Sequence, residues 1–228
     1  MKKIIFGIFA HPDDEAFGPA GTLLSETRDG SELHLITLTD GGAGTNPDKL
    51  EDLGTIRLEE WRAAGALLGA RSMHHLDYRD NMLNNLDMIS VAQQVERLVA
   101  TVLQSANDNI EIEFMTLDLN GYTGHIDHIV AARAACLAFY RLKKHDDRFT
   151  RIRLACLSET EWPKQNTDWI YMEKGRHETE VDEIVDARHL RGEILEVMHT
   201  HHSQRGDGSA KIDRAGANLG LDYFIVKN

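Results

Sequence analysis

Cysteine is scarce: the chain of 228 residues holds two, Cys136 and Cys156. Two cysteines exclude a disulfide-stapled scaffold, fit a reducing cytosol and read as free thiols. Long apolar runs are missing as well. No stretch approaches the roughly 20 apolar residues of a membrane-spanning helix. The apolar run ending at Ala10 is cut at once by His11-Pro12-Asp13-Asp14-Glu15. It therefore lacks the continuous core and small-residue cleavage site of a signal peptide, and the expected compartment is the cytoplasm. Basic charge is in deficit: 25 Lys and Arg face 37 Asp and Glu, a net charge of −12. That balance argues against non-specific binding to nucleic acid or to an anionic membrane, while leaving room for a local positive site. What remains is ordinary globular usage, 42% hydrophobic and 27% charged. Such usage excludes a disordered tail, a collagen repeat and a coiled coil.

Hydrophobic periodicity orders the chain. Residues 4–10 read as a buried strand, 17–28 as a helix closed by Asp29-Gly30, and 33–38 as a second strand. A helical pattern through Leu53, Ile56, Trp61, Ala64 and Leu68 stops at Gly69. A short strand at 73–76, an amphipathic helix from Ile89 to Leu103, a strand at 112–117 and an Ala-rich helix at 126–142 follow. A strand at 152–157, a helix around 187–200 and a last strand at 223–226 complete the reading. Strands alternating with helices of ten or more residues imply an α/β fold, a Rossmann-like three-layer sandwich with a mainly parallel sheet. The length fits one domain over 1–228, with a less regular C-terminal cap from about 158.

Two short segments carry chemistry. His11-Pro12-Asp13-Asp14-Glu15 directly follows the first strand, where an open α/β sheet places its ligand crevice. His11 and Asp14 converge if the chain turns tightly into a helix, and imidazole plus carboxylate is a start for a zinc site. Asp13, between them, is free to face a water instead. Gly124-His125-Ile126-Asp127-His128 follows the strand at 112–117 and opens a helix. His125 and His128 share a helix face. One of them can ligate a metal with His11 and Asp14 while the other faces the substrate. Three protein ligands leave the open position of a catalytic zinc site. Iron(II) accepts the same donors. Asp127 either orients an imidazole or is an exposed first-turn acid favoured by the helix dipole.

The segment Ala10-His11-Pro12-Asp13-Asp14-Glu15, with Gly18 and Gly21 behind it, resembles the signature of the PIG-L/LmbE-like zinc-dependent deacetylases. The resemblance continues through Leu38-Thr39-Asp40-Gly41, Arg57-Leu58-Glu59-Glu60, Leu76-Asp77-Tyr78-Arg79-Asp80 and Gly124-His125-Ile126-Asp127-His128. It reaches His201-His202-Ser203-Gln204. It implies that His11, Asp14 and His128 hold zinc and that Asp13 is the general base. It implies that His125 stabilises the oxyanion or protonates the leaving amine; the carboxylates Asp13, Asp14 and Asp127 nearby lead us to expect it as a cation. Arg57 and Asp80 match positions that hold sugar hydroxyls. The implied reaction removes an N-acetyl group from an amino sugar or its conjugate, a small-molecule substrate.

The rival readings are a metal-dependent amidase acting on a non-sugar amide, and a non-catalytic sugar- or nucleotide-binding domain. The second needs a broken site, and His11, Asp13, Asp14 and His128 are all present. Gly41-Gly42-Ala43-Gly44 lacks dinucleotide spacing and reads as a site loop. His74-His75 and His199 are expected to face solvent, and His201 to line the pocket. Trp162 and Trp169 flank Pro163 and suit either a sugar ring or a packed core. A homo-oligomer is compatible with the sequence.

Overall fold

The computed structural model describes residues 2–104, 106, 109–161, 171 and 174–228. Trp162 and Trp169 lie outside the described residues. The order of elements is β1 (Lys2–Phe9), α1 (Asp14–Phe17), α2 (Ala20–Arg28), β2 (Glu32–Thr39), α3 (Leu53–Leu67), β3 (Ala70–Tyr78), α4 (Asp87–Leu103), β4 (Ile110–Leu117), α5 (Ile126–Lys143), β5 (Phe149–Cys156), β6 (Glu183–Asp186), α6 (Arg191–Thr200), α7 (Arg205–Ala215) and β7 (Leu221–Lys227). One sheet runs β3-β2-β1-β4-β5-β7-β6. The first five strands are parallel, and β7 is antiparallel to both β5 and β6.

Both faces of the sheet are covered, which is why β1 at its centre runs apolar from Ile4 to Phe9 with every one of those residues buried. Side chains alternate across a strand. Ile4, Phe6 and Ile8 therefore enter one core with Val91, Val95 and Val99 of α4 and the alanines of α5. Ile5 and Phe9 enter the other core with Leu23 of α2, Trp61 and Ala64 of α3 and Ile194 and Val197 of α6. The expected three-layer α/β architecture is present.

The expected helix at 17–28 is two helices, broken at Gly18-Pro19. Pro19 has no N–H to bond back into the preceding turn, so the second helix restarts at Ala20. The break lets Asp14 sit in a separate first turn directly under β1. Strand order reverses between β1 and β4, and the crevice beyond their carboxyl ends is where such sheets bind ligands. His11–Glu15 follows β1 and Gly124–His128 follows β4, so topology alone brings the two segments together.

Candidate active site

His11, Asp14 and His128 meet at one point. His11 Nδ1 lies 2.9 Å from His128 Nε2. Asp14 Oδ1 lies 3.1 Å from the same His128 nitrogen. Asp14 is fixed because its other oxygen accepts the backbone N–H groups of Ala10 and His11, each at 3.0 Å. The outer nitrogens of both rings are also committed. His128 Nδ1 donates to the carbonyl of Gly121 at 2.9 Å. His11 Nε2 stands 3.0 Å from Asp80 Oδ1 and 3.4 Å from Asp127 Oδ2. With their protons directed outward, the two facing nitrogens present lone pairs to each other and to a carboxylate. That arrangement asks for a cation, and a carboxylate or carbonyl behind each ligating imidazole is the usual support of a metal site.

The electrostatics agree. Burial works against a charge on His11, yet hydrogen bonds to Asp127 and Asp80, with Asp14 nearby, raise its pKa to about 10. Burial also opposes the Asp14 carboxylate, but His128 and His11 hold it well below the usual carboxylate range. The centre thus favours positive charge, whether carried by protons or by a metal ion.

Two other combinations come within metal-binding distance: His11, His125 and His128, and His11, Asp80 and Asp127. Their chemistry fits less well. His125 Nδ1 accepts the N–H of Asp127 at 3.1 Å, so a neutral ring carries its proton on Nε2 and has no lone pair to give. Asp127 already accepts the N–H groups of Asn81 and Leu83, at 2.7 and 3.1 Å, and meets the outer side of His11. The donor set that fits a metal remains His11, Asp14 and His128.

Asp13 adjoins the cluster and is buried. Arg57 clamps it, donating from Nη2 to Asp13 Oδ2 at 2.8 Å and to the carbonyl of Pro12 at 2.7 Å, and from Nη1 to Gly41 O at 2.8 Å. Gly41 is required there: its φ is +69°, and a Cβ would lie 2.5 Å from the guanidinium carbon. Asp13 itself has φ 124°, a conformation L-residues avoid. Its N–H is held by Glu15 Oε2 at 3.2 Å, and Glu15 Oε1 meets His201 Nε2 at 2.8 Å. Burial pushes the Asp13 carboxyl up to about 6, Asp14 adds to this, and Arg57 and His201 oppose it.

Two expectations meet opposition. His201 does not line the pocket; it is fully buried behind it, held by Glu15 and stacked edge-on to Phe17 at 5.8 Å. The surroundings of His125 work against the expected cation: burial, with His128 and His11 beside it, lowers its pKa to about 4. For Asp127 the structure favours the first of its two readings, since it is buried between α5 and the loop after β3 with Oδ2 3.4 Å from His11 Nε2. His74 and His75 are half-buried on edge strand β3, whereas His199 is exposed as expected. Asp80 is held by His11 on one oxygen and by the N–H of Ala43 on the other, at 2.8 Å, with acceptor capacity left on each.

These groups form the floor of a cavity of about 590 Å³. One wall is the loop through Ala43, Gly44 and Thr45; another is Tyr122 and Thr123 ahead of α5. The third comes from α7, a helix missing from the sequence reading, through Gln204, Lys211 and Arg214. Arg57 and Asp80 touch this cavity and His201 does not.

Fold and site together define a mainly parallel α/β protein with a His2Asp metal-type cluster and a buried acid at the carboxyl edge of its sheet. Residues 6–139 match the model of the PIG-L family, GlcNAc-PI de-N-acetylase, and the chain belongs to that family. It is 32% identical over 130 residues to the diacetylchitobiose deacetylase of Thermococcus kodakarensis, a stretch covering 56% of this chain and 45% of that protein. It is 27% identical over 215 residues to a probable N-acetyl-alpha-D-glucosaminyl L-malate deacetylase of Bacillus anthracis, covering 89% and 82%. Among solved structures it resembles the N,N'-diacetylchitobiose deacetylase of Pyrococcus horikoshii, with TM-score 0.65, 20% identity and coverage of 99% and 84%. It resembles the 4-carboxy-2-hydroxymuconate hydratase of Pseudomonas putida equally well, with TM-score 0.67, 16% identity and coverage of 100% and 97%. The shared fold therefore serves more than one reaction.

Proposed function

We propose that this protein is a zinc-dependent N-deacetylase that hydrolyses the N-acetyl group of an amino sugar or its conjugate and releases acetate. The observation that carries this reading is the convergence of His11 Nδ1, Asp14 Oδ1 and His128 Nε2 beside the buried Asp13. Family membership supports it, as do the names of the relatives, which are deacetylases of acetylated amino sugars. A zinc ion held by His11, Asp14 and His128 supplies a Lewis acid for the acyl oxygen and the attacking water, and iron(II) suits the same donors.

The chain's own groups then divide the proton work. Asp13 takes a proton from the attacking water; a carboxylate with a pKa near 6 is a competent base that remains mostly ionised at neutral pH. Arg57 holds Asp13 Oδ2, so the carboxylate has one orientation. His125 meets the oxyanion as a neutral donor through Nε2–H, since its Nδ1 is engaged by the Asp127 amide. As the C–N bond breaks, the proton on Asp13 passes to the amine, and acetate leaves. Asp80 holds His11 in its ligating tautomer. Nη2 of Arg57 is taken by Pro12 and Asp13 and one N–H of Nη1 by Gly41, so any contact of Arg57 with a sugar hydroxyl falls to the second N–H of Nη1 or to Nε, which is buried without a partner.

The test is acetate release from a panel of N-acetylated amino sugars and non-sugar N-acyl amides, with the metal content measured by elemental analysis. Stoichiometric metal and turnover of the sugars are expected. Turnover confined to non-sugar amides would move the reading to an amidase. Absence of both metal and turnover would overturn it.

A further inference from the structure

Arg214 is a cavity-lining cation that the proposed reaction does not use. It lies on α7, one turn after Lys211, and both line the cavity that contains the metal cluster. In this acidic chain other arginines find carboxylates: Arg57 with Asp13, Arg141 with Glu96, Arg148 with Asp146, Arg153 with Glu113, Arg176 with Asp118, and Arg205 with Asp48. Arg214 has no hydrogen bond or ion pair among the described residues, and its Nε is buried without a partner. An unsatisfied, desolvated guanidinium N–H is costly to keep unless something else satisfies it.

Its surroundings narrow what that is. Lys211 is buried, and its ammonium is 3.3 Å from Tyr122 Oη and 3.5 Å from Glu161 Oε2. Burial works against its charge, but Tyr122, Glu161 and Asp222 hold it above its ordinary range. Lys211 is therefore a permanent cation compensated from behind, and Glu161 is not on the cavity wall. The acid on the same face of α7 is Asp207, which is exposed. The wall thus runs from Gln204, whose Oε1 lies close to Gly44 beside Arg57, to Lys211 beside Tyr122, and then to Arg214. Arg214 makes no hydrogen bond or ion pair with His11, Asp14 or His128, so a ligand group held by Arg214 is taken as the part of the substrate that does not react.

We infer that Arg214, supported by Lys211, forms a subsite for an anionic group, a carboxylate or a phosphate, on the aglycone of the amino sugar. This rests on the deacetylase reading. Guanidinium pairs with either anion through two parallel N–H bonds, which a neutral sugar hydroxyl does not offer. The subsite makes the protein prefer charged conjugates over neutral oligosaccharides.

The experiment compares N-acetylglucosamine 1-phosphate and the N-acetylglucosaminide of glycolic acid with methyl N-acetylglucosaminide and N,N'-diacetylchitobiose. At least a tenfold higher kcat/KM for one of the anionic pair is expected, and which one wins identifies phosphate or carboxylate. Arg214→Gln should bring the anionic-to-neutral ratio towards one, mostly by raising KM for the anionic member. Arg133→Gln, the same charge change at an exposed position on α5, should leave the ratio intact. Calorimetric binding of the four compounds to the metal-loaded protein gives a readout independent of turnover. Anion-preferring binding that Arg214→Gln removes, without acetate release from any compound, would support the subsite and sink the deacetylase reading. A ratio near one in the unaltered protein, or one unaffected by Arg214→Gln, would overturn the subsite and leave the deacetylase reading standing.

Discussion

Asp13 and Asp14 are neighbours with opposite assignments, and the backbone separates them. Asp14 turns back under β1 and accepts two backbone N–H groups, while Asp13, at φ 124°, projects towards Arg57. Asp13→Asn should therefore keep the metal and lose about 10²–10⁴ in kcat, the usual worth of a general base. Loss of metal in that variant would exchange the two roles. The raised Asp13 pKa has a sign that can be checked. The base must be ionised, so kcat/KM should fall as pH drops through about 6 and flatten above it, and Asp13→Asn should abolish that limb. His125→Ala should also keep the metal, and should cost about 10²–10³ in kcat as the loss of one oxyanion donor. Metal retention is read by elemental analysis and rates by acetate release; full activity in His125→Ala would remove the ring from the mechanism.

At the scale of elements, β1 with α1 and β4 with α5 bring the chemistry, and the C-terminal helices lock it. His201, just after α6, and Glu15 of α1 are both fully buried, and through Glu15 the pair holds the Asp13 amide in its strained turn. His201→Ala leaves the Glu15 carboxylate buried and unpaired, a change that typically costs about 3–5 kcal/mol. Thermal unfolding should show a clearly lower Tm for His201→Ala, whereas His199→Ala, exposed two residues earlier, should be within about 0.5 kcal/mol of the parent. Equal stability of the two variants would mean that the Glu15–His201 contact contributes nothing.

On the scale of the whole molecule, the proposed metal site bridges the two segments that follow β1 and β4, so an ion held there would tie the centre of the sheet together. A ligand present at about 1,000 times its Kd adds about 4 kcal/mol to stability. Chelation should lower the Tm by several degrees, and zinc should restore it. His128→Ala should have the lower Tm from the start and respond to neither treatment. A Tm indifferent to chelator in the parent protein would show that the cluster holds no ion tightly. Among the described residues no helix is long and apolar enough to cross a membrane, in keeping with the missing apolar runs of the sequence.

The sequence by itself determined what is local. Short apolar runs placed β1, β2, β4 and β5, and the segments His11–Glu15 and Gly124–His128 pointed to the cluster of donors that the structure brings together, because each pair of donors is set by a single turn of chain. Elements with weak local signals were lost. β6 is four residues alternating with exposed positions, and α7 contains Gly206, Gly208 and few apolar residues, so neither carries a periodicity to read. Only the tertiary structure decided that His201 lies behind the site rather than in it, that the surroundings of His125 oppose a charge on it, and that Arg214 faces the cavity without an ion-pair partner among the described residues. Each of those depends on groups far away in sequence: Glu15 on His201, His11 and burial on His125, and, for Arg214, the cavity walls built from the loop after β2 and the segment before α5. Burial and charge at a point are sums over everything packed around it, and no short segment contains that sum.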